Sequence, residues 1–189
     1  MQIQTRPRGS SATGGFTLVE LLIVMAIVGV LGALAVAGYR ELRGRAGETA
    51  AISALRAINQ AQFAFSQTCG NQRFAPSLAS LGVRVPSTGD AFLSPDLAVG
   101  DPTVFPGNPV EKSGYLITMT GTPVTDDVTT CIGAKPVSDY TATADPIHPG
   151  LSGNAFFGTN ADKVTFTDTV TFTGNMPGRG APGHGSELR

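Results

Sequence analysis

Hydrophobic residues are concentrated in one long stretch near the N-terminus. Phe16 to Ala37 form a 22-residue, mainly apolar run without proline, which is long enough for a helix that spans a bilayer. One carboxylate, Glu20, lies four residues after the run begins. An ionised glutamate in a spanning segment costs roughly 2.5 to 3.5 kcal/mol on insertion scales, so it normally has a partner or a function. Glu20 is therefore the first candidate functional residue.

The helical pattern continues beyond this run. Residues 46–67 contain no proline and divide into two helical faces. The apolar face contains Ala51, Ala54, Leu55, Ile58 and Phe65, and the polar face contains Arg45, Thr49, Ser53, Arg56 and Gln60. Gly70 and Asn71 are a reasonable helix stop. The pattern predicts one helix of about 50 residues, about 75 Å long at 1.5 Å per residue, whose second half needs a sheet to cover its apolar face.

Turns and short strands follow the helix. Residues 71–113 are rich in proline, which predicts a long loop with short helical turns at 78–81 and 92–97. Alternation of apolar and polar residues predicts strands at 115–120, 137–144, 155–158 and 163–172. In the last of these, Val170 and Phe172 are predicted to face the core, with a bend or strand end at Asp168. The Gly/Pro-rich segment 176–189 is predicted to be a mobile tail.

The residues from Gly14 to Leu22 read GGFTLVELL, and this segment closely resembles the processing site of type IV prepilins. The resemblance implies that a dedicated peptidase cuts after Gly15 and that the new N-terminus, Phe16, is N-methylated. It further implies that Glu20 neutralises the N-terminal amine of a neighbouring subunit during filament assembly. A buried acid and a buried ammonium offset each other's desolvation cost only when they meet.

The elements and the resemblance together predict an α+β, pilin-like fold. One long N-terminal helix would pack on a small antiparallel sheet, with a long loop between helix and sheet. The expected organisation is a removed leader at 1–15, an apolar transmembrane or filament-core segment at 16–39, a globular head at 40–175, and the mobile tail at 176–189.

The resemblance implies a structural subunit of a type IV pilus-like filament that serves adhesion, motility or uptake. Its expected partners are copies of itself or other pilins, the prepilin peptidase and methylase, the inner-membrane assembly machinery, and membrane lipid before assembly. It would reside in the inner membrane and then in a surface filament. The alternative within this class is a pseudopilin of a type II secretion system, which would be periplasmic.

Two rival interpretations place the protein in another class. The sequence Ala35-Val36-Ala37 before Gly38 fits an ordinary signal-peptidase site, which would release a soluble binding domain. However, the apolar run exceeds the usual ~7–15 residues of a secretory signal, and such a signal has no use for Glu20. A membrane-anchored enzyme is the other rival. Charge does not fix the orientation, because arginines occur on both sides of the run.

The chain contains two cysteines, Cys69 and Cys131. An exported domain lies in an environment that favours disulfides, so these cysteines are predicted to pair. Two buried free thiols are the alternative. A structural zinc site is a poorer fit, because it needs four ligands and the sequence has no Cys-x-x-Cys motif.

Composition and scattered polar residues give little support for catalysis. The net charge of -1 offers no electrostatic case for a nucleic-acid partner. The two histidines, His148 and His184, are expected to be solvated, with no local signature of nucleophilic catalysis. A calcium site at Asn160, Asp162 and Asp168 is conceivable, but turn formation explains these residues more simply. The sequence therefore predicts no enzyme activity, no cofactor and no metal.

Overall fold

The computed structural model of the protein describes residues 15–188, apart from the side chains of Val36 and Ala37. The expected leader therefore lies outside the described residues except for Gly15. Helix α1 spans Leu18–Thr68, a length of 51 residues, which confirms the prediction of one long helix. The chain divides into two compact units at the boundary between Tyr39 and Arg40.

In the first unit, every described side chain from Phe16 to Tyr39 is exposed. Phe16 is 82% exposed, and Leu18 and Leu34 are 80% and 70% exposed. Within residues 15–188, α1 is the one helix long and apolar enough to cross a membrane. Such a surface is unfavourable in water, at about 25 cal/mol for each Å² of apolar area, so this half of α1 is expected in an apolar environment.

In the second unit, α1 packs on an antiparallel sheet, which confirms the predicted α+β fold. The six strands are β1 (Val110–Lys112), β2 (Tyr115–Pro123), β3 (Val137–Pro146), β4 (Phe156–Asn160), β5 (Thr165–Asp168) and β6 (Ser186–Glu187). They pair in sequence order, each antiparallel to the next. A short helix, α2 (Leu78–Leu81), lies in the long loop between α1 and β1.

The core joins the apolar face of α1 to one face of the sheet. All five residues of the predicted apolar face are buried, and all five residues of the predicted polar face are exposed. Tyr115, Ile117 and Met119 on β2 lie in the same core, as their alternation predicts. Leu55, Ile58 and Ile117 are fully buried, so this contact holds the second half of α1 on the sheet.

Buried polar side chains fix the position of α1 on its neighbours. Gln62 donates to the Ala75 carbonyl at 3.0 Å and accepts from the Ala75 N–H at 2.8 Å, which holds the loop that leaves the helix. Asn59 accepts from the Tyr140 hydroxyl at 2.9 Å and donates to Thr159 Oγ1 at 2.9 Å. Both side chains are buried, and their polar atoms have hydrogen-bond partners. Because these bonds are directional, they fix the position of α1 along the sheet more specifically than apolar contacts alone would.

The strands differ from expectation at several positions. Strand β1 lies in the segment predicted to be loop, and residues 92–97 form bends and a turn instead of a helical turn. The last predicted strand ends at Asp168, as the carboxylate suggested, so the prediction that it reaches Phe172 is wrong. Beyond that end, Phe172 is buried but Val170 is 56% exposed and does not face the core.

The final segment also differs from the expected mobile tail. Strand β6 pairs with β5 through Ser186 and Glu187. The Asn160 side chain donates to the carbonyls of Pro177 and Gly180 at 3.1 and 2.7 Å. The segment therefore has specific hydrogen bonds to the sheet, which its composition did not indicate.

Candidate assembly site

The candidate assembly site lies at the first turn of α1. Gly15, Phe16 and Thr17 precede the helix, and Glu20 lies in its first turn. A Cβ added to Gly15 would have no neighbour within 4 Å, and Phe16 is 82% exposed. Among the described residues, nothing therefore covers the Gly15–Phe16 peptide bond, as cleavage there would require. Gly14 and the rest of the leader lie outside the described residues.

Glu20 and Thr17 form a reciprocal pair of hydrogen bonds. The Glu20 N–H donates to Thr17 Oγ1 at 3.2 Å, and the Thr17 N–H donates to Glu20 Oε2 at 3.4 Å. The Thr17 hydroxyl also donates to the same Oε2 at 3.3 Å. This geometry is a capping box, in which a Thr and a Glu three residues later satisfy each other's free N–H groups.

The capping box gives Glu20 a second, local role that the sequence analysis missed. The signal was present, because Thr17-Leu18-Val19-Glu20 has the Thr-x-x-Glu spacing at the start of an apolar run. Both hydrogen bonds that the carboxylate accepts use Oε2, and no described residue donates to Oε1. The carboxylate can therefore cap its own helix and still accept from an ammonium group of another chain.

The predicted cysteine pair is confirmed. Cys69 and Cys131 form a disulfide with their Cα atoms 4.9 Å apart. Cys69 directly follows α1, and the Cys131 N–H donates to the Cys69 carbonyl at 3.0 Å. Cys131 lies in the loop between β2 and β3, so the bond ties the end of the helix to that loop and not to a strand.

The conceivable calcium residues have other partners. Asp162 accepts from the Gly180 N–H at 2.6 Å and pairs with Arg179 at 3.5 Å, whereas Asp168 is bound to His184. Asn160 donates its amide to two carbonyls of the final segment. These side chains thus serve to hold the final segment, and among residues 15–188 no cluster of three or more His, Cys, Asp or Glu side chains could hold a metal ion.

His184 is not the solvated side chain that its position suggested. Its ring stacks on Phe172 with centroids 4.9 Å apart, and its Nδ1 lies 2.7 Å from Asp168 Oδ2. This hydrogen bond holds the pKa of the Asp168 carboxyl below its ordinary value. The buried Nε2 has no hydrogen-bond partner among the described residues, so the pair activates no nucleophile there. His148 lies in an exposed loop, as expected.

Comparison with known proteins concerns this same N-terminal region. Residues 10–36 match the family described as the prokaryotic N-terminal methylation motif. A fimbrial protein of Pseudomonas aeruginosa is 44% identical over 50 residues, which are 26% of this chain and 32% of that protein. The type IV major pilin protein PilA of Myxococcus xanthus is 41% identical over 51 residues, or 27% of this chain and 23% of that pilin.

The match covers no more than about a third of the length of these relatives. No solved structure gives a significant match to the chain. The matched residues include Gly15, Phe16, Thr17 and Glu20, which the structure places together at the start of α1. Over its N-terminal quarter, the chain therefore carries the prokaryotic N-terminal methylation motif and resembles type IV pilins.

Proposed function

We propose that this protein is a structural subunit of a type IV pilus-like filament, assembled through the apolar half of α1. The observation that carries the proposal is the exposed apolar surface of residues 16–35, with Glu20 at its start and the methylation motif around it. A bilayer would cover this surface before assembly, and the helices of neighbouring subunits would cover it afterwards. Adhesion, motility or uptake would then be properties of the filament.

We propose a role for each residue at the start of α1, and the geometry described above supports these roles. The prepilin peptidase would cut the exposed Gly15–Phe16 bond, and the methylase would modify the Phe16 amine. Glu20, with Oε1 not used in the capping box, would accept this ammonium group from a neighbouring subunit. The pair would form only in the assembled state, because each charge alone is costly in an apolar environment. Assembly machinery in the inner membrane would supply and orient the subunits.

The mass of the assembled protein tests this proposal. Protein sheared from the cell surface is expected to begin at Phe16 and to be heavier by one methyl group than the unmodified chain from that residue. A Gly15→Leu variant should keep its leader and accumulate in the inner membrane, because the cleavage site no longer has its glycine. Intact-mass spectrometry of both fractions measures the start and the methyl group.

The same measurement separates the rival functions. A mature protein that begins at Gly38 would contradict the proposal. It would indicate a soluble domain released by ordinary signal peptidase. A methylated protein that begins at Phe16 but is found in the periplasm, with no surface filament, would instead indicate a secretion pseudopilin. For the enzyme, the described residues contain no group of three or more His, Cys, Asp or Glu side chains that could hold a catalytic metal ion.

A further inference from the structure

Two arginines closely follow the apolar run at the start of α1. Arg40 and Arg43 lie three and six residues after Ala37, where the run ends, and both side chains are exposed. Neither arginine forms an ion pair with any residue between 15 and 188. The helix offers them no acid, because the positions three and four residues away on each side hold uncharged residues or the other arginine.

The two arginines are also neighbours of each other. Arg40 and Arg43 are three residues apart, so they lie on the same side of α1, and like charges at this spacing destabilise a helix. In an α-helix the Cα–Cβ bonds tilt toward the N-terminus, so both side chains are directed back toward the apolar run. An anion between the two guanidinium groups would offset their repulsion and accept hydrogen bonds from both.

The glutamates on the same stretch of α1 have other partners. Glu41 accepts from Arg45 at 2.7 Å. Glu48 Oε1 accepts from the N–H groups of Asn154 and Ala155 at 2.9 and 3.3 Å, so this carboxylate is directed at the head. The stretch carries three arginines and two glutamates, but the glutamates are already in use and two of the arginines are not.

The nearest strands of the head do not supply an acid either. Gly47 lies against the turn between β1 and β2 with no room for a Cβ, so acids near that turn are the ones to consider. Asp96 is paired with Lys112. Glu111 lies opposite Leu116 in the sheet, and Leu116 alternates with the core residues of β2. Glu111 is therefore on the face of the sheet that is turned away from α1.

The length of the apolar run places these arginines at the level of lipid headgroups. Residues 16–37 rise about 33 Å at 1.5 Å per residue, which matches a hydrocarbon core of about 30 Å. Arg40 and Arg43 lie roughly 4.5 and 9 Å further along the axis, and the polar layer on each side of the core is about 5 to 7 Å thick. Because both long side chains are directed back toward the core, their guanidinium groups reach the phosphate layer.

An exposed leucine between the two arginines fits the same environment. Leu42 is 68% exposed, which is the highest value for a large hydrophobic side chain among the described residues of the second unit. At the boundary between headgroups and hydrocarbon, lipid would cover part of this side chain. Single exposed leucines are common, so Leu42 supports the placement but does not carry it.

We propose that Arg40 and Arg43 together bind the phosphate group of a phospholipid, in the leaflet on the side of the head, before the subunit enters a filament. Guanidinium groups bind phosphate through paired hydrogen bonds. An anionic lipid such as phosphatidylglycerol is favoured over phosphatidylcholine, because its headgroup has no cation of its own. The inference rests on one part of the proposed function, that residues 16–37 cross a bilayer, and it does not require a filament.

The lipid selectivity of the membrane-bound chain tests this inference. The chain that begins at Phe16 is placed in vesicles with equal amounts of phosphatidylglycerol and phosphatidylcholine and extracted in mild detergent. Native mass spectrometry then measures the ratio of the two retained lipids. Arg40→Gln/Arg43→Gln should lower this ratio roughly fivefold or more at low salt, since one arginine beside anionic lipid contributes about a factor of five.

A matched control removes the same charge elsewhere on the head. Arg56 and Arg84 are exposed, and Arg56 lies roughly 24 Å further along α1 than Arg40, beyond the headgroups. The Arg56→Gln/Arg84→Gln variant should therefore keep the wild-type ratio. A second arm offers inorganic phosphate to the wild-type chain in detergent without phospholipid, and little binding is expected there, because the bilayer holds the lipid phosphate beside the arginines.

Three results would overturn the inference: an unchanged ratio for Arg40→Gln/Arg43→Gln, an equal fall for the control variant, or inorganic phosphate that binds as tightly as phosphatidylglycerol. The last of these would indicate a site for free phosphate instead of lipid. A chain that washes off the vesicles without detergent would contradict the proposed membrane span, and the proposed function would fail together with this inference. A chain that stays in the membrane without lipid selectivity contradicts this inference alone.

Discussion

Replacement of Glu20 by glutamine is expected to abolish filament assembly while the subunit still enters the membrane. Glutamine can take the place of glutamate in a capping box, so the bonds with Thr17 and the start of α1 should persist. The neutral amide removes an insertion cost of roughly 2.5 to 3.5 kcal/mol, but it cannot offset the charge of a buried ammonium group. The measurement is the yield of sheared filaments in cells without wild-type subunits, beside the amount of subunit in the membrane.

Two further substitutions separate the charge of Glu20 from its capping role. Thr17→Ala removes the capping hydroxyl and keeps the acid, at a cost of about 1 kcal/mol to the helix end, and should assemble nearly as well as wild type. Glu20→Ala removes both functions and should assemble no better than the glutamine variant. If the glutamine variant forms filaments at the wild-type level and Thr17→Ala does not, capping explains Glu20 and the proposed ammonium partner is wrong.

The long helix could be predicted from the sequence because its signals are strong and local. An apolar run without proline and a 3.6-residue stripe over Ala51, Leu55 and Ile58 each extend for many turns. The structure ends the helix at Thr68, within two residues of the predicted stop at Gly70. Strand β2 was equally clear, because Tyr115, Ile117 and Met119 alternate with polar or partly exposed neighbours.

The edge strands could not be predicted, because their pairing depends on distant residues. Strand β1 has three residues and β6 has two, which is too short for any alternation to show. Strand β6 forms where β5 offers a free edge and where His184 meets Asp168, 16 residues earlier in the chain. Glycine and proline in this segment indicated mobility, but tertiary hydrogen bonds decide its structure.

The same distinction between local and distant signals applies to the candidate site and to the cavity in the head. Gly15, Phe16 and Glu20 belong to one short motif, so sequence alone could single them out, and the Thr-x-x-Glu spacing could also have indicated the capping box. The apolar cavity of about 520 Å³ that Pro76, Phe105 and Ile132 help to line could not be found in this way. Its lining comes mainly from three separate loops, and Gln62 and the disulfide hold two of them at the end of α1.

Loss of the Cys69–Cys131 disulfide is expected to destabilise the head by roughly 4 kcal/mol in the chain-entropy model. The two cysteines are 62 residues apart in sequence, and the loop that carries Cys131 has few other anchors. The ion pair between Arg73 and Asp126 is one of them, but it is partly exposed and weak. A Cys69→Ser/Cys131→Ser variant should therefore unfold at a lower denaturant concentration than the wild type in the same detergent.

The position of the bond predicts which parts of the head loosen. Amide hydrogen exchange should accelerate at the Cys131 and Val137 N–H groups, which bond to Cys69 and Phe74 near the end of α1. The Leu188 N–H, which donates to the carbonyl of Thr165 on β5, should keep its protection, because β4 and β5 separate the edge strand β6 from β3 and the loop that carries Cys131. Thiol titration of the denatured wild type without reductant should find no free thiol. Two reactive thiols, or uniform acceleration that includes Leu188, would show that this bond does not fasten the helix end to the head.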